Sequence, residues 1–258
     1  MAYDFSLKAA WGAGDAPDLD FDPRDDFAWG GRSDGIESER YMRPRLYDSI
    51  GRKCAYDRAE DFVSDIQLCD GFRMFAFVSG NFIFGDVLEA MVAKRLFGIR
   101  RVTIQTLSMN QENIDSLLNV MSMSPRMESM RIILSDYFYS HERRVLVPYL
   151  YDTLDLDGGP FFDCAFASVH TKIVTIETTH GNKLVMDGSA NLRSSYNVEQ
   201  LRLEVDGGLY DFIEGMADRV FAAYSTINHD APRHRSVRYQ AMWDAVTDKE
   251  ADDGQRIG

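Results

Sequence analysis

Strand-type and helix-type patterns alternate three times between residues 72 and 154, and that alternation limits the chain to few layer architectures. Phe72-Arg73-Met74-Phe75-Ala76-Phe77-Val78 is an apolar, aromatic run of the kind buried in a sheet. Ser79-Gly80-Asn81 turns the chain, and residues 86–97 read as a helix that stops before Gly98. Residues 101–106 form the next strand and 110–121 the next helix, with Ser108 and Asn110 placed to cap it. A strand over 130–134 and a helix over 142–154 complete the series. Strand and helix in this order predict an α/β fold, a mixed or parallel sheet flanked by helices with right-handed crossovers. Upstream, Ala59, Phe62, Val63 and Ile66 space out as one face of an amphipathic helix within 56–68. Downstream, the spacing predicts a strand over 199–205, a helix over 209–227 and a last helix over 238–246.

The segment between these halves carries the chemistry. Residues 168–177 are rich in β-branched types and alternate, which predicts a strand. Thr179-His180-Gly181-Asn182 reads as a hairpin turn, and 183–186 as the returning strand, which leads to Gly188-Ser189-Ala190-Asn191. Side chains two apart on a strand point the same way, so His170 and Lys172 would share a face. An imidazole, an ammonium, a hydroxyl and an amide gathered there suit an anion with a reactive centre. A lone histidine on a strand is usually a satisfied core residue. The lysine beside it argues otherwise, because burying an unpaired ammonium is costly.

His170-x-Lys172 followed by Gly188-Ser189-x-Asn191 resembles the signature of the phospholipase D superfamily, matching it position by position. Glu177 stands where that signature has Asp, and the interval from Glu177 to Gly188 is longer than usual. Asn197-Val198-Glu199 is similar to the Asn-x-Glu that follows the turn in several members. The resemblance implies a phospholipase D-type fold and metal-independent phosphodiester cleavage through a phosphohistidine at His170, with neither metal nor cofactor. Lys172, Ser189 and Asn191 would hold the phosphoryl oxygens, and Glu199 would orient the imidazole through its unreactive nitrogen. Glu177 and Gly188 would support them. The family brings two motif copies together, and this chain holds one; no second His-x-Lys or Gly-Ser-x-Asn occurs in it. The expected working unit is therefore a homodimer with one site on its two-fold axis. Nucleic acid is the substrate expected from compact single-motif members. A lipid phosphodiesterase or phosphatidyltransferase is the alternative enzyme. A silent nucleic-acid-binding or scaffold module of the same fold is the alternative outside catalysis, and Glu177 and the acidic charge speak for it.

Composition bounds the rest. The 258 residues carry a formal net charge of −13, which sits badly with broad nucleic-acid binding by counterion release. The charge is uneven: acidic residues load both ends, and basic pairs such as Arg100-Arg101 and Arg143-Arg144 lie between. The expected organisation is an acidic, irregular arm or cap over 1–54, a catalytic domain over 55–228, and a helix and polar tail over 229–258. Cys54, Cys69 and Cys164 have no metal-ligand spacing and read as reduced thiols. The opening residues lack the basic and apolar regions of a signal peptide, so a cytoplasmic protein without stable membrane association is expected. Parallel sheets gather ligands at the carboxyl ends of their strands. That places Ser79, Asn81, His141 and Arg143 as candidate substrate contacts.

Overall fold

The computed structural model describes residues 59–78, 84–94, 96–192, 199–230 and 238–239, together with the backbone of 52–56. Eight strands make one sheet in the order β1-β2-β8-β7-β6-β3-β4-β5. In chain order the elements are β1 (Arg52–Tyr56), α1 (Ala59–Ser64), β2 (Arg73–Val78), α2 (Phe84–Ala93), β3 (Ile99–Thr106), α3 (Gln111–Met123) and β4 (Ser129–Ser135). They continue as α4 (Asp136–Glu142), α5 (Leu146–Leu154), β5 (Phe161–Ala167), β6 (Ile173–Thr178), β7 (Lys183–Gly188), β8 (Glu199–Val205) and α6 (Gly207–Tyr224). The sheet is mixed. β1 runs parallel to β2, and β3, β4 and β5 are parallel to one another. Between these groups β8, β7 and β6 form an antiparallel meander.

Alternation along each strand separates two faces. Val102, Ile104, Met130, Ile132, Val174, Ile176, Leu184 and Met186 point to one side, where they share a core with α1, α2, α3 and α5. Each fully buried side chain of this size stabilises the fold by about 1.5–3 kcal/mol. The opposite side carries Thr103, Arg131, Thr175 and Val185, and there α6 packs its Leu209, Tyr210 and Ile213 against the sheet. Helix starts follow the expected cap chemistry. Asn110 accepts from Asn113 N at 2.9 Å, and Asn113 returns the bond to Asn110 N at 2.9 Å. Asp206 caps α6 through Leu209 N at 2.9 Å.

Three expectations are corrected. The helix expected over 142–154 is two helices, α4 and α5, broken at residues 143–145. Pro148 explains the break: its ring excludes a helical carbonyl four residues back, and its missing N–H is harmless only in a first turn, where it sits. The strand expected over 168–177 begins at Ile173, so His170 and Lys172 lie on the loop before it. β5 was not foreseen, and neither was β1, whose start falls in the expected N-terminal arm. The hairpin turn stands as expected, with Gly181 at φ 86° where a side chain would be strained. The rest of the arm and all but two residues of the helix expected over 238–246 lie outside the described residues. Among the described residues no helix is long and apolar enough to cross a membrane.

Candidate active site

The strand directions bring the motif residues to one end of the sheet. β6 starts there, with Ile173 opposite Gln105 near the end of β3. β7 ends there at Gly188, and β8 begins there at Glu199, opposite Val78. His170 and Lys172 therefore meet the Gly188-Ser189-Ala190-Asn191 turn and Glu199, although neither motif residue lies on a strand. Backbone bonds fix the junction. Gly188 N donates to Lys172 O at 3.2 Å, Ser189 N donates to Gln200 O at 3.2 Å, and Leu192 N donates to Thr106 Oγ1 at 3.3 Å. Thr171 Oγ1 donates to Gln105 Oε1 at 3.0 Å, which ties the loop to β3.

His170 is exposed, and its Nδ1 lies 3.3 Å from Lys172 Nζ. The ammonium also donates to His170 O at 3.1 Å. Burial lowers the Lys172 pKa, and the negative charge of Glu199 pulls it back only in part. Glu199 accepts from Ser189 Oγ through Oε2, and Ser189 Oγ in turn accepts from Gln200 N at 3.0 Å. The carboxylate thus holds the serine and acts on the lysine's charge. Asn191 stands on the same turn, with its Oδ1 buried and unpaired among the described residues.

A cleft of about 440 Å³ opens beside the loop. His170, Lys172, Asp187 and Arg202 line its polar side, and Leu209, Phe212 and Ile213 of α6 form an apolar wall. Arg202 donates to Asp187 Oδ2 from Nε at 2.9 Å and from Nη2 at 2.7 Å. Sequence reasoning did not single out Asp187, Arg202 or the α6 wall. The signal was present for the first two: antiparallel pairing of the strands flanking the Gly-Ser turn sets residue 187 opposite residue 202.

The other candidates fall elsewhere. Glu177 lies four residues along β6, roughly 13 Å from its start. There it is buried and paired with Arg100 at 2.9 Å and Arg101 at 3.7 Å. That is the end of β6 away from His170 and Lys172. His141 is at the end of α4, exposed, with Nδ1 2.7 Å from Tyr137 O and its ring 4.0 Å from that of Tyr137. Arg143 follows α4 and acts electrostatically on Tyr139. Neither lines the cleft. Ser79 and Asn81 lie outside the described residues. Among the described residues no three His, Cys, Asp or Glu side chains stand close enough together to hold a metal ion.

Comparison with solved structures finds Nuc from Salmonella typhimurium, a phospholipase D family member, at 13% identity and TM-score 0.40, covering 57% of this chain and 92% of that one. NucT from Helicobacter pylori is 16% identical with TM-score 0.42, covering 59% of this chain and 98% of that one. Yeast tyrosyl-DNA phosphodiesterase 1 is 12% identical with TM-score 0.26, covering 43% and 26%. No family model matches the chain, and no curated protein does.

Proposed function

We propose that the chain is a metal-independent phosphodiesterase that works through a phosphohistidine at His170, with nucleic acid as its substrate. The observation that carries this reading is the His170–Lys172 contact at the mouth of a cleft, with Ser189 and Glu199 held beside it. An ammonium has donors only, so Nδ1 of His170 accepts from Lys172 and a neutral ring keeps its proton on Nε2. A phosphoryl group in the cleft draws the Lys172 ammonium onto its oxygens, which frees Nδ1. Glu199, which holds Ser189 and acts on the Lys172 charge, would then take an Nδ1–H and leave the Nε2 lone pair for phosphorus.

Attack by Nε2 forms the P–N bond and breaks the P–O bond to the leaving group. Lys172 stabilises the charge that builds on the phosphoryl oxygens, and the hydroxyl of Ser189 and the amide of Asn191 add donors. The leaving oxygen needs a proton from a second acid. His170 of a second copy supplies it across a two-fold axis, and then accepts the proton of the water that breaks the P–N bond. The single motif supports a homodimer on these grounds.

The test is hydrolysis of bis(4-nitrophenyl) phosphate by the full chain. His170→Ala abolishes turnover, and Lys172→Ala lowers it by at least about a hundredfold, as loss of one oxyanion donor does. Turnover by a folded His170→Ala protein would overturn the reading.

A further inference from the structure

The face of the sheet that carries the cleft extends beyond it across β8 and β2. Strand register aligns two rows there. Ile173, Asp187, Arg202 and Phe75 are successive partners across β6, β7, β8 and β2. One step nearer the active end come Ser189, bonded to Gln200, and then Phe77, the partner of Gln200. Phe77 is 53% exposed, an outlier for so large an apolar ring inside a strand. Phe75 meets it edge to face, with centroids 5.4 Å apart and planes at 85°. That contact sets the orientation of the Phe77 ring before anything binds. Two strand spacings, about 10 Å, separate it from Ser189.

Arg202 completes the strip. Its Nε and one Nη2 hydrogen go to Asp187, and Glu204 Oε1 lies 3.4 Å from Nε. A guanidinium has five N–H donors, so among the described residues the two on Nη1 and the second on Nη2 remain for a ligand. Held flat by Asp187 and lining the same cleft as His170 and Lys172, they suit a phosphate oxygen. A guanidinium for phosphate next to an oriented aromatic ring is the combination that grips an unpaired nucleotide.

We infer that Phe77, Phe75 and Arg202 form a subsite for single-stranded nucleic acid, in which Arg202 holds the phosphate next to the scissile one and a base stacks on Phe77. The inference rests on the phosphodiesterase reading for what happens to the strand once bound. A duplex does not satisfy the subsite, because its bases are already stacked inside the helix. A protein partner fits poorly. One ring pair flanked by Arg202, Gln200 and Glu204 is far smaller than the roughly 800 Å² per side of a stable interface.

The experiment uses full-length His170→Ala protein as a non-cleaving trap and a fluorescein-labelled oligothymidylate, read by anisotropy. Phe77→Ala weakens binding about tenfold, and Phe77→Trp restores it. Arg202→Ala weakens binding and lowers the salt slope by about one. With His170 in place, Phe77→Ala and Arg202→Ala each lower kcat/KM on the oligonucleotide about tenfold more than on bis(4-nitrophenyl) phosphate. Equal affinity of the Phe77→Ala and Phe77→Trp proteins would overturn the inference, as would duplex DNA competing as well as the single strand. A fall in light-scattering mass on Phe77→Ala would also overturn it, by assigning the ring to a contact between copies. Wild-type protein that binds the strand through Phe77 but leaves both esters intact would support this subsite and defeat the enzyme reading.

Discussion

Glu214 anchors α6 to the sheet, and replacing it tests how the cleft wall is held. Arg131 Nη2 donates to Glu214 Oε2 at 2.5 Å and Nη1 donates to Asp218 Oδ1 at 2.6 Å. Thr103 Oγ1 donates to the same Glu214 oxygen at 3.2 Å, and Thr175 Oγ1 donates to the other. One carboxylate on α6 thus joins β3, β4 and β6. Burial works against the Arg131 charge, and Asp218 and Glu214 outweigh it, raising the Arg131 pKa. Removing one partner of a buried pair costs about 3–5 kcal/mol. Here the side chains of Arg131 and Glu214 keep 18% and 17% of their surface in water, and Asp218 still serves Arg131. Glu214→Ala should therefore cost about 2–3 kcal/mol. In a domain of this size that lowers Tm by about 4–12 °C, measurable by circular dichroism. Glu214→Gln keeps the shape and one acceptor oxygen, so its Tm should fall between the wild type and Glu214→Ala. In a cycle with Arg131→Met the two losses should be far from additive. A Tm drop under about 2 °C, or additive losses, would refute the argument that this pair anchors the helix.

Three further outcomes concern the chemistry. Burial lowers the Lys172 pKa, so its charge should be lost on raising the pH sooner than for an ordinary lysine, and activity with it. Lys172→Arg stays charged throughout, so the basic limb of its pH–rate profile should move upward even if kcat falls; an unmoved limb would assign that limb to another group. Hydrolysis should continue in excess chelator, and restoration of a chelated enzyme by a divalent ion would defeat the imidazole mechanism. Light scattering should give about twice the 29.4 kDa chain mass, and His170→Ala subunits mixed into wild type should depress activity out of proportion to their share. An active monomer would sink the shared site.

The local patterns show where sequence was enough. β2 was readable as a nearly unbroken apolar run, β3 and β4 because Val102, Ile104, Met130, Ile132 and Leu134 give one face an apolar alternation, and α3 because Asn110 supplies its own cap chemistry. The motif named the residues but misjudged their backbone. Val169, Thr171 and Ile173 carry a β-type pattern into a stretch where only Ile173 joins the ladder. β-branched composition cannot tell a strand from the extended loop that enters it. β5 escaped notice because Asp163 interrupts its apolar run, and the partners that make a carboxylate tolerable there come from afar. Ser225 Oγ donates to it at 2.6 Å, 62 residues along the chain. Glu177 was read as an approximate motif acid; only the sheet shows that it meets Arg100 and Arg101 at the end opposite His170. Phe77 becomes a neighbour of the site through the β2–β8 pairing, which no local pattern encodes.

That pairing also bears on how the sheet is assembled. β2 and β3 follow one another in the chain but are held apart by β8, β7 and β6. A chain emerging from the ribosome has made β1 through β5 before the strands that join them exist. Until residues 173–205 arrive, β2 and β3 each present an open edge, and apolar strands with open edges pair readily with other chains. Closing the sheet then means inserting the meander between two waiting segments, a step of long sequence separation and therefore a slow one. The strands that bear the motif turn and Glu199 are the same ones that weld the two halves of the sheet. A fragment ending before residue 173 would thus be an aggregation-prone nascent species, and the site comes into being at the moment that exposure ends.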